Sequence, residues 1–260
     1  MKAMVFAAGL GTRLKPLTDT MPKALVPVCG QPLLHHVLTK LVAGGYDDII
    51  VNVHHFPDQI IDYLHAHDFG ARITVSDERY LLRETGGGIK CVQPLLRNKE
   101  IPGQAGQAGN DGNEPFLVHN VDIVSNLDFK WLREQHRPGA LATLVVSQRK
   151  TQRYFLFDED GRLRGWTNLA TGEVRSPYPD IDPDRCRKLA FAGIHLISPE
   201  IFDAFDRLGF GERFSITDFY LKACADYPIY AAVPPDFVMV DVGKKETLSE
   251  AERVCESILR

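Results

Sequence analysis

Short apolar runs alternate with amphipathic stretches along the first part of the chain. Apolar runs at 4–8, 48–54 and 72–75 have the length and composition of buried strands. The stretches 32–43 and 57–67 between them carry apolar residues at helical spacing, and each begins with proline, which is favoured in a first helical turn. Strands that alternate with helices need crossover connections. The pattern therefore predicts an α/β fold with a mostly parallel sheet flanked by helices.

The pattern changes in the second half of the chain. A helix is expected at 86–96 and a strand at 116–119, and strands then follow one another at 141–147, 154–157 and 189–197. Turn signals separate these later strands at 159–161 and 171–172. Residues 141–198 are thus predicted to add a small β-rich layer to the sheet, and an amphipathic helix is predicted at 245–259.

The segment 97–115 contains the run GQAGQAGNDGN, which is poor in apolar residues. Such a composition buries little apolar area, so a flexible surface insertion is expected there. A chain of 260 residues is large enough to bury a sizeable core, and α/β folds of this size often form one unit. We therefore expect a single domain over residues 1–260.

The charge and the cysteine content argue against several classes of protein, namely nucleic-acid-binding, membrane, zinc-binding and disulfide-rich proteins. The formal net charge of -4 gives no bulk attraction to nucleic acid or to an anionic membrane. No apolar run approaches the roughly 20 residues that span a bilayer. The five cysteines are scattered, odd in number and without Cys-x-x-Cys spacing, which argues against both a disulfide framework and a zinc site and favours reduced thiols in a cytoplasmic protein.

Residues 7–28 form a cation-rich stretch directly after the first predicted strand. Gly9 and Gly11 allow a tight turn whose amide groups can point at phosphate oxygens, and Arg13 adds a planar guanidinium suited to the same ligand. Leu14 stands where a dinucleotide fingerprint has its third glycine, and the Gly-Lys-Ser/Thr of a P-loop is absent. The stretch predicts an anion site of another kind.

The complete string, G-x-G-T-R-x-x-P-x-T-x-x-x-P-K-x-x-x-P-V, resembles that of the sugar-1-phosphate nucleotidyltransferases. Four later segments resemble motifs of the same family, and together they extend the resemblance over about nine tenths of the chain: Glu-Thr-Gly-Gly-Gly-Ile at 84–89, Val-His-Asn-Val-Asp at 118–122, Phe-Ala-Gly-Ile at 191–194 and Val-Asp-Val-Gly at 240–243. Within the family, the chain is most similar to N-acetylmuramate-1-phosphate uridylyltransferases and next to mannose-1-phosphate guanylyltransferases. The resemblance implies a Rossmann-like mixed sheet whose β-rich layer lies on the sugar side.

The resemblance also implies substrates and residue roles. Such enzymes join an NTP to a sugar 1-phosphate and release pyrophosphate, and Arg13 and Lys23 would be the catalytic cations. Lys23 would bridge the α-phosphate and the sugar phosphate. The nucleotide would be bound by a larger set, namely Ala7, Ala8, Gly9, Leu10, Gly11, Thr12, Arg13, Glu84 and Gly87.

The two aspartates that match the metal-binding positions of the family are Asp122 and Asp241. Each follows or lies in an apolar strand, so both carboxylates can reach one edge of the sheet. Carboxylates together with phosphate oxygens suit Mg²⁺, a hard octahedral ion. The resemblance therefore implies a magnesium cofactor.

The sugar is the least determined substrate. Asn120, Asn168 and Gly193 are the candidate sugar-binding residues, but Thr167-Asn168-Leu169 replaces the Glu-Lys-Pro that many members use. Val121 replaces the glycine that usually precedes the first metal aspartate. A phosphocholine-type cytidylyltransferase and a catalytically silent regulatory homologue stay open as alternatives. The predicted partners are the two substrates, with no nucleic acid or membrane and an undetermined oligomeric state.

Overall fold

The computed structural model describes residues 1–97 and 114–258, with Lys245 and residues 254–258 described by their backbone alone. The larger part of the predicted insertion at 97–115 lies outside the described residues, so its flexibility stays a prediction.

A ten-stranded mixed sheet forms the centre of the protein. Its strands are β1 (Lys2–Phe6), β4 (Asp48–Val53), β5 (Arg72–Asp77), β6 (Phe116–Asn120), β8 (Ala142–Ser147), β9 (Arg153–Phe157), β10 (Leu163–Asn168), β11 (Glu173–Arg175), β12 (Arg187–Ile197) and β13 (Ile229–Ala232). Strands β6, β1, β4 and β5 lie side by side and run parallel. Strand β12 is antiparallel to β6, β8 and β9, and β9, β10 and β11 continue outward as antiparallel neighbours.

Two short antiparallel strand pairs lie beside the main sheet. Strands β2 (Pro27–Val28) and β3 (Gln31–Pro32) form one pair, and β7 (Ile123–Ser125) and β14 (Met239–Asp241) form the other. The helices that surround the sheets are α1 (Leu33–Ala43), α2 (Pro57–Ala66), α3 (Glu84–Cys91), α4 (Gln93–Leu96), α5 (Phe129–Glu134), α6 (Ile201–Arg207), α7 (Ile216–Ala223) and α8 (Lys245–Ile258).

The sheet has a hydrophobic core on each face. In β1, Ala3 and Val5 belong to the core that contains α1, whereas Met4 belongs to the core that contains α6 and α7. Strand β4 alternates in the same way, with Ile49 and Val51 on one face and Ile50 on the other. Because a hydrophobic core covers each face of the sheet, neighbouring residues in these strands are apolar rather than alternately apolar and polar.

The predicted elements of the first half are confirmed, with ends that differ by at most two residues. The helix predicted at 86–96 is two helices, because α3 ends at Cys91 and Pro94 lies in the first turn of α4. Helices α5, α6 and α7 and strand β13 were not predicted. Two of these helices carry start signals in the sequence, since the side chains of Asp128 and Ser215 cap α5 and α7 by accepting backbone N–H bonds.

The expectation of uniformly reduced thiols is wrong for one cysteine. Cys29, next to the β2–β3 turn, is disulfide-bonded, whereas Cys91, Cys186 and Cys224 are free. The cytoplasmic location that rested on the cysteines stays a prediction. In the described part of the chain, none of the helices combines the length and apolar character needed to cross a bilayer.

Two buried histidines lie at the centre of the sheet, where β12 pairs with β6. Burial lowers the pKa of His119 to about 4 and that of His195 to about 3, so both side chains stay neutral in the folded protein at pH values where a free imidazole is charged. Below about pH 6.5 these histidines bind more protons in the unfolded chain than in the folded protein. Their contribution to the free energy of unfolding is therefore complete only above the unfolded pKa of about 6.5.

Acidification below about pH 6.5 should therefore destabilise the protein. We expect each histidine to lower the free energy of unfolding by up to about 1.4 kcal/mol per pH unit as the pH falls towards the folded pKa values. Urea unfolding at several pH values measures the slope. His195→Gln should have a shallower slope, and the exposed His65→Gln should keep the wild-type slope. Equal slopes for wild type and His195→Gln would contradict this origin of the acid sensitivity.

Candidate active site

A cavity of about 560 Å³ opens where the parallel strands β1, β4 and β6 end. The cavity is lined by every residue from Phe6 to Arg13, and Asn52, Asn120 and Asp122 line it from the neighbouring strands. Open parallel sheets bind ligands at the carboxyl ends of their strands, where successive loops diverge. The sequence-predicted phosphate loop thus lies where the fold places a ligand.

The loop after β1 presents unpaired amides to this cavity. Within the described residues, the backbone N–H groups of Gly9, Leu10 and Gly11 donate to no protein acceptor. Gly11 has a φ of 64°, and a Cβ atom at this position would lie 2.7 Å from Thr18 Cγ2, so only glycine fits. Unpaired amides on a glycine-containing turn form a site for phosphate oxygens.

Lys23 is buried and reaches the same cavity from a 3-10 turn, Lys23–Leu25. Its ammonium group makes an ion pair with Asp122 Oδ2. The Cβ of Lys23 also lies 3.2 Å from the position that a Cβ of Gly11 would occupy, so the lysine packs directly against the phosphate loop. Lys15, in contrast, is exposed, pairs with Asp19 at 3.0 Å and lines neither cavity of the site.

The short pairing of β7 with β14 brings Asp122 and Asp241 together. Asp241 lies opposite Ile123 in this ladder, and the amide of Val242 donates to the carbonyl of Asp122 at 2.8 Å. The two aspartates are far apart in the sequence, and the strand pair makes their backbones neighbours.

The carboxylate of Asp241 has an unusual environment. Burial raises its pKa, and the negative charge of Asp122 raises it further. Its Oδ1 is buried without a hydrogen-bond donor among the described residues. A buried carboxylate oxygen that faces a second carboxylate is unfavourable by itself and is well matched to a divalent cation. The residues present therefore fit the magnesium site that the sequence implies.

No group of three or more His, Cys, Asp and Glu side chains in the described residues could hold a metal ion. Among the described residues, Asp122 and Asp241 would thus be the pair of side chains that binds the ion. This number suits Mg²⁺, which is usually bound by one or two carboxylates together with water and substrate phosphates.

A second cavity of about 750 Å³ adjoins the first. The two share Arg13 and Gly243, and Asp241 lines the second. A Cβ at Gly243 would lie 2.8 Å from Asp241 Oδ1 and 2.9 Å from Arg13 Nη2, so the absence of a side chain leaves this junction open. Arg13 can therefore contact ligands in both cavities.

Asn52 and Glu78 are functional residues that the sequence reasoning missed. Asn52 Oδ1 accepts the N–H of Ala7 at 2.9 Å, and Asn52 Nδ2 donates to Glu78 Oε1 at 3.0 Å. Glu78 Oε2 then accepts the N–H of Arg83 at 3.0 Å. This buried chain of hydrogen bonds joins the start of the phosphate loop to the start of α3. A polar residue within the apolar strand DIIVNVH was the available signal for Asn52.

Glu84 lines the first cavity with a φ of 61°, and Arg213 Nε donates to its Oε1 at 3.2 Å. Gly87 lines neither cavity, because it packs against the segment before α7. A Cβ there would lie 2.2 Å from the carbonyl oxygen of Glu212, and its amide donates to Phe214 O. Gly87 thus contributes close packing of α3 rather than a wall of the cavity.

Two of the three candidate sugar residues, Asn120 and Gly193, lie in contact, whereas Asn168 lines neither cavity. Gly193, with a φ of 72°, packs against Asn120, since a Cβ would lie 2.6 Å from Asn120 Nδ2. Asn120 lines the first cavity. Asn168 lines neither cavity, and its Oδ1 accepts the N–H of Ala170 in the turn after β10. The side chains that line the second cavity instead include Arg149, Lys150, Arg153 and Lys244, none of which the sequence reasoning identified.

The chain is similar in sequence to known nucleotidyltransferases over most of its length. The family model described as nucleotidyl transferase matches residues 2–257. The N-acetylmuramate alpha-1-phosphate uridylyltransferase of Caulobacter vibrioides is 31% identical, over 96% of this chain and 95% of its own. The enzyme with the same description from Neisseria meningitidis serogroup B is 39% identical, over 79% of each chain.

Among solved structures, HddC from Yersinia pseudotuberculosis in complex with GMP-PN superposes with a TM-score of 0.71. The alignment covers 97% of this chain and 98% of that one, at 20% sequence identity. This likeness confirms the α/β fold.

Proposed function

The chain belongs to the nucleotidyl transferase family as a sugar-1-phosphate nucleotidyltransferase, and from this premise we propose that it joins UTP to an amino sugar 1-phosphate. The products would be a UDP-sugar and pyrophosphate, and N-acetylmuramate 1-phosphate is the proposed sugar substrate. The observation that carries this proposal is the junction of two cavities at Arg13 and Gly243, with Lys23, Asp122 and Asp241 beside it.

The chemistry requires two anions to approach each other. An oxygen of the sugar phosphate attacks the α-phosphorus of the NTP, and pyrophosphate leaves from the opposite side. In this proposal the first cavity binds the nucleotide, and the second cavity binds the sugar phosphate. The amides of Gly9 to Gly11 would hold the β- and γ-phosphates, because their N–H groups donate to no acceptor among the described residues.

Lys23 and Arg13 would act on the reacting phosphates. Lys23 is held in place by burial and by Asp122, so its ammonium group is positioned before the substrates arrive. A preorganised cation stabilises charge that develops in the transition state without a reorganisation cost at that moment. Arg13, shared by both cavities, can hydrogen-bond phosphate oxygens of either substrate with its planar guanidinium.

Asp122 and Asp241 would hold Mg²⁺ in the working enzyme. The bound ion would supply positive charge that offsets the repulsion between the two phosphate groups. The role of the protein is to fix the two carboxylates side by side through the β7–β14 pair.

Base selection in this proposal depends on the walls of the first cavity. Backbone groups of Ala7 and Ala8 and the segment at Glu84 lie along it, and the hydrogen bonds of Asn52 fix their separation. A pyrimidine and a guanine differ in size and in donor placement, which such a cavity can distinguish. Guanylyl transfer is the second candidate, because the sequence also resembles guanylyltransferases.

A substrate panel tests the assignment. UTP, GTP, CTP, ATP and dTTP are each combined with N-acetylmuramate 1-phosphate, N-acetylglucosamine 1-phosphate, mannose 1-phosphate and phosphocholine, and pyrophosphate release is measured. We expect UTP with an amino sugar 1-phosphate to give the highest kcat/KM.

Three outcomes would contradict the proposal. A tenfold or greater preference for dTTP or ATP would exclude the uridylyl assignment, and turnover of phosphocholine with CTP would identify a cytidylyltransferase. Binding of nucleotide sugars without turnover of any pair would identify a regulatory homologue.

A further inference from the structure

The second cavity has far more positive charge than a single phosphate requires. Its lining contains five cationic side chains and one carboxylate, that of Asp241. The cations are Arg13, Arg149, Lys150, Arg153 and Lys244. Arg13 lies at the junction with the nucleotide cavity, where the sugar phosphate must react. The other four cations need another explanation.

Three of these cations are close in sequence, two on the connection between β8 and β9 and one at the start of β9. Residues 148–152 connect β8 to β9, and Arg153 is the first residue of β9. The side chains of Arg149, Lys150 and Arg153 are exposed, and in the described part of the chain none of them makes an ion pair with a carboxylate. Arg149 Nη2 donates to the carbonyl of Phe191 at 3.1 Å, which fixes this guanidinium at the cavity wall.

The wall next to this loop is aromatic. Phe155, Trp166 and Phe191 line the cavity, and the rings of Phe155 and Phe191 pack edge to face with centroids 5.7 Å apart. Aromatic faces accept the C–H surface of a sugar ring, whereas unpaired guanidinium groups bind carboxylates or phosphates with paired hydrogen bonds. The second cavity thus combines a surface for a sugar ring with cationic side chains in addition to Arg13.

We propose that the loop at 148–153 recognises a second anionic group on the sugar, a carboxylate, through Arg149 and Arg153. The inference rests on the proposed function and deepens it, because it assigns residues to the recognition of one substrate class, namely sugar 1-phosphates that carry a carboxylate. N-acetylmuramate 1-phosphate belongs to this class, because its lactyl ether ends in a carboxylate. N-acetylglucosamine 1-phosphate lacks this ether and is otherwise the same molecule.

Comparison of N-acetylmuramate 1-phosphate with N-acetylglucosamine 1-phosphate measures the effect of the carboxylate alone. Both carry the same 1-phosphate, the same acetamido group and the same ring, so interactions with the phosphate cancel in the ratio of their kcat/KM values. The wild-type enzyme with UTP is expected to prefer the carboxylate-bearing sugar. Arg149→Gln and Arg153→Gln are each expected to reduce this preference by about tenfold, the scale of one charge-assisted hydrogen bond. Arg153→Lys should retain part of the preference.

Arg207→Gln is the matched control. Arg207 is an exposed arginine in the last turn of α6 and lines neither cavity, so its loss should leave the ratio unchanged. Added salt gives a second readout, because screening weakens exposed charge pairs. The preference of the wild type should fall as the salt concentration rises, and that of Arg149→Gln/Arg153→Gln should change less.

The outcomes separate the two proposals. If the wild type converts neither sugar with UTP, the proposed function is wrong. If it converts N-acetylglucosamine 1-phosphate equally well, uridylyl transfer stands and the carboxylate inference is overturned. If the arginine variants lower kcat/KM equally for both sugars, the loop binds the shared phosphate, and the inference is again overturned.

Discussion

Asp122→Asn and Asp241→Asn are each expected to lower kcat a hundredfold or more, and only Asp122→Asn is expected to destabilise the metal-free protein. The loss of one preorganised electrostatic contact raises an activation barrier by roughly 3–4 kcal/mol. Asparagine preserves size and hydrogen bonding, so both variants should fold. EDTA should abolish wild-type turnover, and added Mg²⁺ should restore it.

The two stabilities differ because the aspartates have different partners. Asp122 neutralises the buried Lys23, so Asp122→Asn should lower the free energy of unfolding by roughly 1–2 kcal/mol. Asp241 has a buried oxygen without a donor and faces Asp122, so Asp241→Asn removes a repulsion and should leave the stability unchanged or higher.

Chemical unfolding in EDTA and steady-state kinetics with millimolar Mg²⁺ measure the two effects separately. Near-normal turnover by either folded variant would show that its carboxylate is not a metal ligand. A loss of stability in Asp241→Asn equal to that of Asp122→Asn would contradict the described environment of Asp241.

Lys23→Met is expected to lower kcat by roughly a hundredfold to a thousandfold. Methionine keeps much of the apolar stem and removes the ammonium group that lies between the phosphate loop and the carboxylate pair. The variant also frees Asp122 from its ion pair. Lys23→Met should therefore bind Mg²⁺ more tightly than the wild type in the absence of substrates, as measured by the increase of Tm with added Mg²⁺.

Lys15→Met is the control on the same segment. Lys15 is exposed and paired with Asp19, so this variant should stay within about twofold of wild-type turnover. Turnover of Lys23→Met within fivefold of the wild type would exclude the catalytic role of Lys23. An unchanged response of its Tm to Mg²⁺ would contradict competition between the lysine and the ion for Asp122.

The parallel part of the sheet was predictable because its strands are buried on both faces. Apolar runs such as Ile-Ile-Val at 49–51 stand out between amphipathic helices, and burial of both faces is what produces them. The pairing of β7 with β14 was not predictable in this way. Each of these strands has three residues, and their ladder joins distant parts of the chain. Periodicity carries no information on such long-range contacts.

The residues of the candidate site likewise fall into a predictable group and an unpredictable one. The phosphate loop and Lys23 belong to one continuous string, so the sequence identified them together. The cations at Arg149 and Arg153 come from the β8–β9 connection and meet Arg13 only in the folded protein. Isolated arginines in a polar loop resemble ordinary solvated residues, so neither pattern nor spacing distinguishes them.

The buried chain from Ala7 through Asn52 and Glu78 to Arg83 has a consequence for redesign of the enzyme. A protein engineer who wished to exchange one nucleobase for another would naturally randomise the exposed loop around Tyr80 and Leu81, which is open to solvent. Libraries that also vary Asn52 or Glu78 would disconnect the two walls of the cavity and lose folded members. A productive library therefore keeps both residues constant and diversifies only the loop that they anchor.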